Sequence, residues 1–236
     1  MAIGNVTPDS FYASSRLGST DQVIDWAKTA LADGAEILDI GGCSTRPGSI
    51  PASEEEEWRR VRPALAALRK ALPDVQLSLD TFRTGIARKA LEQFGPMIIN
   101  DISGGDEAMY ELVAKHHVPY VFTFRGDYER LHIVDEQPDI DWILDPGFGF
   151  CGGVEADYAC LRKMDTLRGY QYPILAGLSR KSMIWKALGL TPETCLAPTQ
   201  ALQLYALEHG ATILRVHDVR AAAQTIALAT KLKIEN

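Results

Sequence analysis

No uninterrupted apolar run in these 236 residues approaches the roughly 18 needed to cross a bilayer as a helix, so a membrane span is not expected. The N-terminus has no basic region followed by an apolar run, which leaves no secretory signal. Positive charge is in deficit. Lys and Arg number 24 against 31 Asp and Glu, a net charge of −7, which argues against a general affinity for nucleic acid or an anionic membrane. Cysteine is sparse: Cys43, Cys151, Cys160 and Cys195 show no C-x-x-C spacing. They read as free thiols in a reducing cytosol rather than as a disulfide framework or a zinc site. Low-complexity tracts, linkers and sequence repeats are missing. So are the phosphate loop of nucleoside triphosphatases, a metal-ligand spacing of His and Cys, and a serine–histidine–aspartate order. These gaps leave a cytoplasmic, metabolic protein. If its substrate is anionic, an acidic chain must supply a local cluster of positive charge.

What is present is a structural rhythm: a short apolar run, a few Gly, Asp, Ser or Asn residues, then an amphipathic stretch. The chain is 46% hydrophobic and 23% charged, ordinary for a globular protein that buries its own core. Strands are expected at Ala2–Val6, Glu36–Ile40, Gln76–Asp80, Met97–Asn100, Pro119–Phe122, Trp142–Asp145, Pro173–Gly177 and Thr212–Val216. Each is too short for a helix and mostly apolar, as strands buried on both faces should be. Helices are expected at Asp21–Asp33, Glu54–Leu72, Thr84–Phe94, Glu107–His116, Glu155–Leu167, Thr191–His209 and Asp218–Lys233. In Glu54–Leu72 the acidic first turn and the late Arg69 and Lys70 match the helix dipole. This alternation predicts one α/β domain over residues 1–236, a (β/α)8 TIM barrel, with an open doubly wound sheet as the competitor. One interval breaks the rhythm: 16 residues lie between Phe124 and Asp141, closed by Pro138. A crossover with its helix needs at least about 10–12 residues. The fifth helix is therefore expected to be shortened to a turn or two, or missing along with part of the natural chain.

In a parallel barrel the chemistry sits at the carboxyl ends of the strands and in the loops that follow them. Those positions carry Asn5 to Phe11, Gly41 to Gly48, Asp80-Thr81, Asn100 to Gly105, Asp145 to Phe150, Gly177 to Ser182 and Arg215 to Asp218. Glycines such as Gly177 let backbone approach a ligand closely. Two sets emerge. Asp80, Asn100 and Asp145 could converge on a ring that offers an amino group beside a ring N–H, as pterins and guanines do. Arg46, Lys181, Arg215 and His217, cationic or able to become so, would suit a phosphate or pyrophosphate, helped by Thr45, Ser179 and Asn5. Each residue alone has a plainer reading. A strand-terminal Asp can simply cap the next helix, Arg180-Lys181 can be a solvated helix start, His217 a packing histidine and Gly41-Gly42 a tight turn. Applied at seven strand ends on one rim, the plainer reading fails for the set.

Asn5-Val6-Thr7-Pro8-Asp9-Ser10-Phe11 and Ser44-Thr45-Arg46-Pro47-Gly48 resemble the two signature loops of dihydropteroate synthases. Ser78 to Thr81, Ile99 to Ile102, Asp145 to Phe150, Ser179 to Ser182 and Arg215 to Asp218 resemble the remaining motifs, in family order over nearly the whole chain. The resemblance implies a (β/α)8 homodimer that binds 6-hydroxymethyl-7,8-dihydropterin pyrophosphate and 4-aminobenzoate with Mg2+, a sulfonamide target of folate synthesis. It implies that Asp80, Asn100, Asp145 and Lys181 hold the pterin ring, with Thr45 at its side. Arg46, Arg215 and His217 would hold the pyrophosphate, Asn5 would lie near the Mg2+, and Phe150 and Ser179 would border the aminobenzoate pocket. Asp145, Lys181, Arg215 and His217 are the residues it makes catalytic.

The sequence departs from the family pattern in three places. Cys151-Gly152-Gly153 follows Phe150 where a Lys is usual, Cys43 stands where Glu is frequent, and Phe122-Thr123 replaces a Met-His pair. These departures are the support for a competing reading, a paralogue that binds pterin without condensing it. Methyltetrahydrofolate-binding methyltransferases share the barrel, but they have no need of the cluster Arg46, Lys181, Arg215 and His217.

Overall fold

Short apolar runs that alternate with amphipathic ones must bury both faces of a sheet under helices, and that is the order found. The computed structural model describes residues 1–7, 19–43 and 51–232, and among these eight strands alternate with helices in the (β/α)8 order. They fall into two compact units, Met1–Phe122 with Gln137–Asp141, and Thr123–Glu136 with Trp142–Asn236.

In the first unit β1 (Ala2–Asn5), β2 (Ile37–Gly41), β3 (Gln76–Asp80), β4 (Ile98–Asp101) and β5 (Tyr120–Thr123, whose last residue counts with the second unit) lie side by side in chain order. The pairs β1–β2, β2–β3, β3–β4 and β4–β5 are all parallel. Leu38, Ile40, Leu77, Leu79 and Ile99 are sealed from solvent, each contributing roughly 1.5–3 kcal/mol by burial. Helices α1 (Thr20–Ala32), α2 (Glu54–Ala71), α3 (Thr84–Phe94) and α4 (Glu107–His116) turn in their small and aliphatic faces, Val23-Ala27-Ala30 in α1 and Val61-Ala64-Leu65-Leu68 in α2. Ser19, Ser53 and Asp106 accept the backbone N–H of Gln22, Glu56 and Met109 and so start three of these helices. Gly4 is small for a reason: a Cβ there would lie 2.6 Å from the Trp26 ring.

The second unit holds a 3-10 turn (Tyr128–Leu131), α5 (His132–Glu136), β6 (Trp142–Asp145), α6 (Val154–Arg162), β7 (Leu175–Ala176), α7 (Ser182–Leu188), α8 (Leu196–Glu208), β8 (Ile213–Leu214) and α9 (Val219–Leu232). A parallel bridge between Leu144 and Ile174 joins β6 to β7, and β7 pairs with β8 in parallel.

Most expected ends move by about one residue, a helix not among those expected, α7, follows β7, and the larger changes have local causes. The fifth helix is shortened, as expected, to one 3-10 turn and five α-helical residues, started by Asp127 accepting from Glu129 N–H. The helix expected over Glu155–Leu167 stops at Arg162, and a 3-10 segment, Met164–Tyr170, follows as the Thr166 hydroxyl bonds back to the Lys163 carbonyl. The helix expected from Thr191 begins at Leu196, because Thr191 and Thr194 close a turn on themselves. Strands β7 and β8 are only two residues each. Pro173 has no N–H to give, and the Thr212 hydroxyl rather than a backbone carbonyl takes the Ile174 N–H at 3.1 Å.

Candidate active site

The parallel register sets Asn5 opposite Gly41, Gly41 opposite Asp80, and Asp80 opposite Asn100, so these residues share one face at the carboxyl ends of β1 to β4. Gly41 keeps that row open: a Cβ there would lie 3.3 Å from the Asp80 Cβ and 3.4 Å from its Oδ2. One step down the same face lie Asp39 and Ser78, both sealed. The Ser78 hydroxyl donates to Asp39 Oδ1 at 2.6 Å, and the Asn100 amide nitrogen donates to Asp39 Oδ2 at 3.1 Å. Asp39 thereby fixes which way the Asn100 amide points. With its nitrogen committed downwards, Asn100 offers its carbonyl oxygen as an acceptor in the row above.

Asp101 turns the other way. It accepts the Ser103 N–H at 2.7 Å, the Ser103 hydroxyl at 2.6 Å and the Tyr120 hydroxyl at 3.0 Å, which shapes the turn into α4. Burial pushes its carboxyl above the usual range against the pull of those donors. Behind the turn after β3, the sealed Glu57 of α2 accepts from the Thr81 hydroxyl and from Arg83. Burial pushes Glu57 up as well.

In the second unit Asp145, at the end of β6, is 8% exposed. Gly147 N–H donates to its Oδ1 at 2.8 Å, and the Thr123 hydroxyl reaches Oδ2 only at 3.4 Å. Burial raises the Asp145 carboxyl. The Gly147 N–H and the charges of Lys181 and Arg215 work to lower it. Gly147 must be glycine: its φ is 79°, and a Cβ would lie 2.9 Å from both the Arg125 Cα and the Thr123 side chain. Lys181, which precedes α7, holds its Nζ 4.4 Å from the centre of the Phe150 ring, a cation–π contact that stations the ammonium near Gly149. Asp157 of α6 braces the same loop by accepting Gly149 N–H at 2.8 Å and Cys151 N–H at 3.3 Å.

Ser179 and His217 form a pair. The His217 backbone N–H donates to Ser179 Oγ at 3.2 Å, and Nδ1 lies 3.1 Å from the same oxygen. Burial, then the charge of Arg215, pull the imidazole down to about 4. His217 is therefore neutral at pH 7, the member of its set that is able to become a cation rather than one already. Arg180 is no solvated helix start. Its guanidinium bonds Asp218 at 2.8 and 2.9 Å and the Glu193 carbonyl at 3.0 Å, tying the ends of β7 and β8 together.

Of the expected site residues, Asn5, Asp80 and Asn100 share one face in the first unit. Asp145, Phe150, Ser179, Lys181, Arg215 and His217 carry the contacts and charges just described in the second. Gly177 follows β7 with nothing closer than 4.0 Å to the position of a Cβ. Thr45 and Arg46 lie outside the described residues. Asp39 escaped the sequence reading. The signal was a lone carboxylate inside the apolar run Ile37-Leu38-Asp39-Ile40. Among the described residues no group of three or more His, Cys, Asp and Glu could hold a metal by itself. Asn5, at the carboxyl end of β1, carries one amide oxygen, a type of ligand that Mg2+ can take while keeping several of its waters. Among the described residues no helix is long and apolar enough to cross a membrane.

Comparison with known proteins agrees with this geometry. The chain matches the family of pterin binding enzymes over residues 1–139 and 129–217. It is 36% identical over 245 residues to a dihydropteroate synthase of Bacillus subtilis, covering 95% of this chain and 85% of that protein. Its structure is similar to that of the Clostridium difficile dihydropteroate synthase solved with pteroic acid, with a TM-score of 0.89 at 31% identity over 99% of this chain and 96% of the other. The Yersinia pestis dihydropteroate synthase, solved with a sulfonamide drug, gives the same TM-score and identity over 98% and 92%. Composition, register and likeness over the whole length converge: this chain belongs to the dihydropteroate synthases of the pterin-binding enzyme family.

Proposed function

We propose that this chain joins 6-hydroxymethyl-7,8-dihydropterin pyrophosphate to 4-aminobenzoate, releasing pyrophosphate, in folate biosynthesis. The observation that carries the reading is Asp145, a buried carboxylate with one short neutral donor and with the charges of Lys181 and Arg215 acting on it. A pterin offers the missing partners, an amino group beside a ring N–H, in bidentate form. Asp80, Asn100 and Lys181 would complete the grip on the ring, with Thr45 beside it. Arg46, Arg215 and His217 would hold the diphosphate, and Phe150 and Ser179 would border the aminobenzoate. The whole chain would serve as one catalytic domain, in a cytoplasmic homodimer, with neither nucleic acid nor membrane as partner.

The chemistry asks for little covalent help. The bond from the methylene carbon to the diphosphate oxygen breaks first, and the positive charge left on that carbon spreads into the pterin. The amine of 4-aminobenzoate then attacks the carbon and sheds a proton. Arg46 and Arg215 would stabilise charge as it collects on the leaving group, and an ionised Asp145 would stabilise the cation left behind. Protonation of His217 as the diphosphate develops its charge would add a donor there. Bound with the diphosphate beside Asn5, Mg2+ would offset the same charge.

The test is direct. Purified protein mixed with the pterin pyrophosphate, 4-aminobenzoate and Mg2+ should release pyrophosphate and form dihydropteroate, and a sulfonamide should compete with the aminobenzoate. Pterin binding without turnover would favour the non-condensing paralogue, for which Cys151 in place of the family's Lys is the specific support.

A further inference from the structure

The loop that delivers Asp145 rests on two thiols that the mechanism does not use. Cys151 lies half-buried in the loop after β6, and Cys160 is sealed on the inner face of α6. Their sulfurs stand 3.5 and 3.8 Å from the same atom, the carbonyl oxygen of Pro146, and Cys151 Sγ is 3.3 Å from the Gly147 carbonyl. Gly126 supplies a second fixed point. A Cβ placed there would meet Cys151 Sγ at 3.3 Å and Cys160 Sγ at 3.7 Å, so both sulfurs border one small space that glycine leaves open. The two thiols act on each other in opposite directions: Cys151 is pushed well up by its neighbour Cys160 and by burial, while Cys160 is held below its ordinary value beside Cys151 despite burial. A reachable thiol beside a buried one inclined to ionise is a pair suited to oxidation.

We propose that Cys151 and Cys160 form a peroxide-sensitive dithiol whose closure to a disulfide loosens the Asp145 turn. One sulfur of the pair, attacking as its thiolate, forms an S–O bond as the O–O bond of a peroxide breaks, releasing water (or the corresponding alcohol). The other sulfur then attacks the oxidised one and expels the hydroxyl as water. Two thiols lose two electrons and two protons, and the peroxide is reduced. Drawing the sulfurs to about 2.05 Å removes the thiol protons facing the Pro146 carbonyl and pulls on Cys151, which shares a tight loop with Gly147. Gly147 N–H is the short donor to Asp145, so the strain is felt where the pterin is held. This second step rests on the reading that Asp145 grips the pterin, whereas the first does not.

The experiment treats the full chain with hydrogen peroxide and reads two things. Peptide mapping should find Cys151 linked to Cys160, with the thiol titre falling from the four cysteines of the sequence to two. Calorimetry with the pterin pyrophosphate should show affinity lowered by at least roughly tenfold, the scale of one weakened charge-assisted hydrogen bond, and restored by dithiothreitol. Cys151→Ser should form no link and keep its affinity under peroxide. Absence of the link in the wild-type chain, or oxidation of Cys151 to a sulfinic acid alone, overturns the proposal. So does a link that leaves affinity unchanged. If the reduced protein binds no pterin, it is the assignment of Asp145 that fails, and the mapping result still decides the dithiol.

Discussion

Asp39 in the first unit and Asp145 in the second are both carboxylates withdrawn from water, yet they are held differently. Each Asp39 oxygen receives a neutral side-chain donor, from Ser78 at 2.6 Å and from Asn100 at 3.1 Å. Asp145 has one short backbone donor and one long hydroxyl, and it relies on the charges of Lys181 and Arg215 for the rest. A carboxylate held by short neutral donors is part of the frame. One held by charges acting at a distance keeps acceptor capacity for a ligand, at a cost in desolvation that the ligand's own donors can offset. The contrast supports the proposed reading, in which Asp39 positions and Asp145 recognises.

The contrast can be broken most sharply at Asp145. Asp145→Asn should weaken pterin affinity by about 3 kcal/mol, roughly a hundredfold, because a charged bidentate contact is lost and the cations lose their counter-charge. Calorimetry with the pterin pyrophosphate measures it, and unchanged affinity removes Asp145 from the site. Asp39→Asn should do the reverse in kind. An amide cannot accept from both Ser78 and Asn100, so thermal stability should fall by about 2 kcal/mol, while pterin affinity falls less, through a misdirected Asn100. Equal losses of affinity in the two variants would erase the distinction.

Two smaller effects sharpen it through pH. In the proposed reading pterin binding needs Asp145 ionised, and burial holds its carboxyl above the ordinary range. Affinity should therefore climb as pH rises through that elevated value and level off above it. Arg215→Ala removes one of the influences that lower it, so the climb should move to higher pH; a move to lower pH would contradict the assignment. His217 is neutral above about pH 4. Binding the pterin pyrophosphate near pH 7 should draw up to one proton onto the ring, seen as a dependence of the binding heat on buffer ionisation enthalpy, and His217→Gln should abolish it. Smallest of all, Ser179→Ala should raise KM for the pterin substrate by a few-fold, at about 1 kcal/mol or less, by releasing the His217 ring.

Much of this was legible in the sequence because parallel strands buried on both faces leave an unambiguous mark, an apolar run ending abruptly in polar residues. Thr84–Phe94 and Glu107–His116 have the expected bounds for the same reason, since their apolar spacing and, for α4, the Asp106 cap coincide. The missed features depend on partners distant in the chain. Arg180 reads as a helix start until Asp218, 38 residues later, is seen bonding it. Asp39 reads as an interruption until Asn100, 61 residues on, is seen donating to it. The brevity of β7 and β8 turns on one threonine hydroxyl taking the place of a carbonyl. The neutrality of His217 comes from enclosure and a neighbouring charge, neither of which a list of residue types contains.

The stretch that contains Thr45 and Arg46 is entered and left at two anchored points. Arg60 of α2 donates to the Gly42 carbonyl at 3.1 Å, and Arg83 at the foot of α3 donates to the Ala52 carbonyl. Both flanks are thus pinned by guanidinium groups from neighbouring helices. Substituting either arginine should therefore disturb the approach to Thr45 and Arg46 while the row of Asn5, Asp80 and Asn100, fixed by strand register, stays where it is.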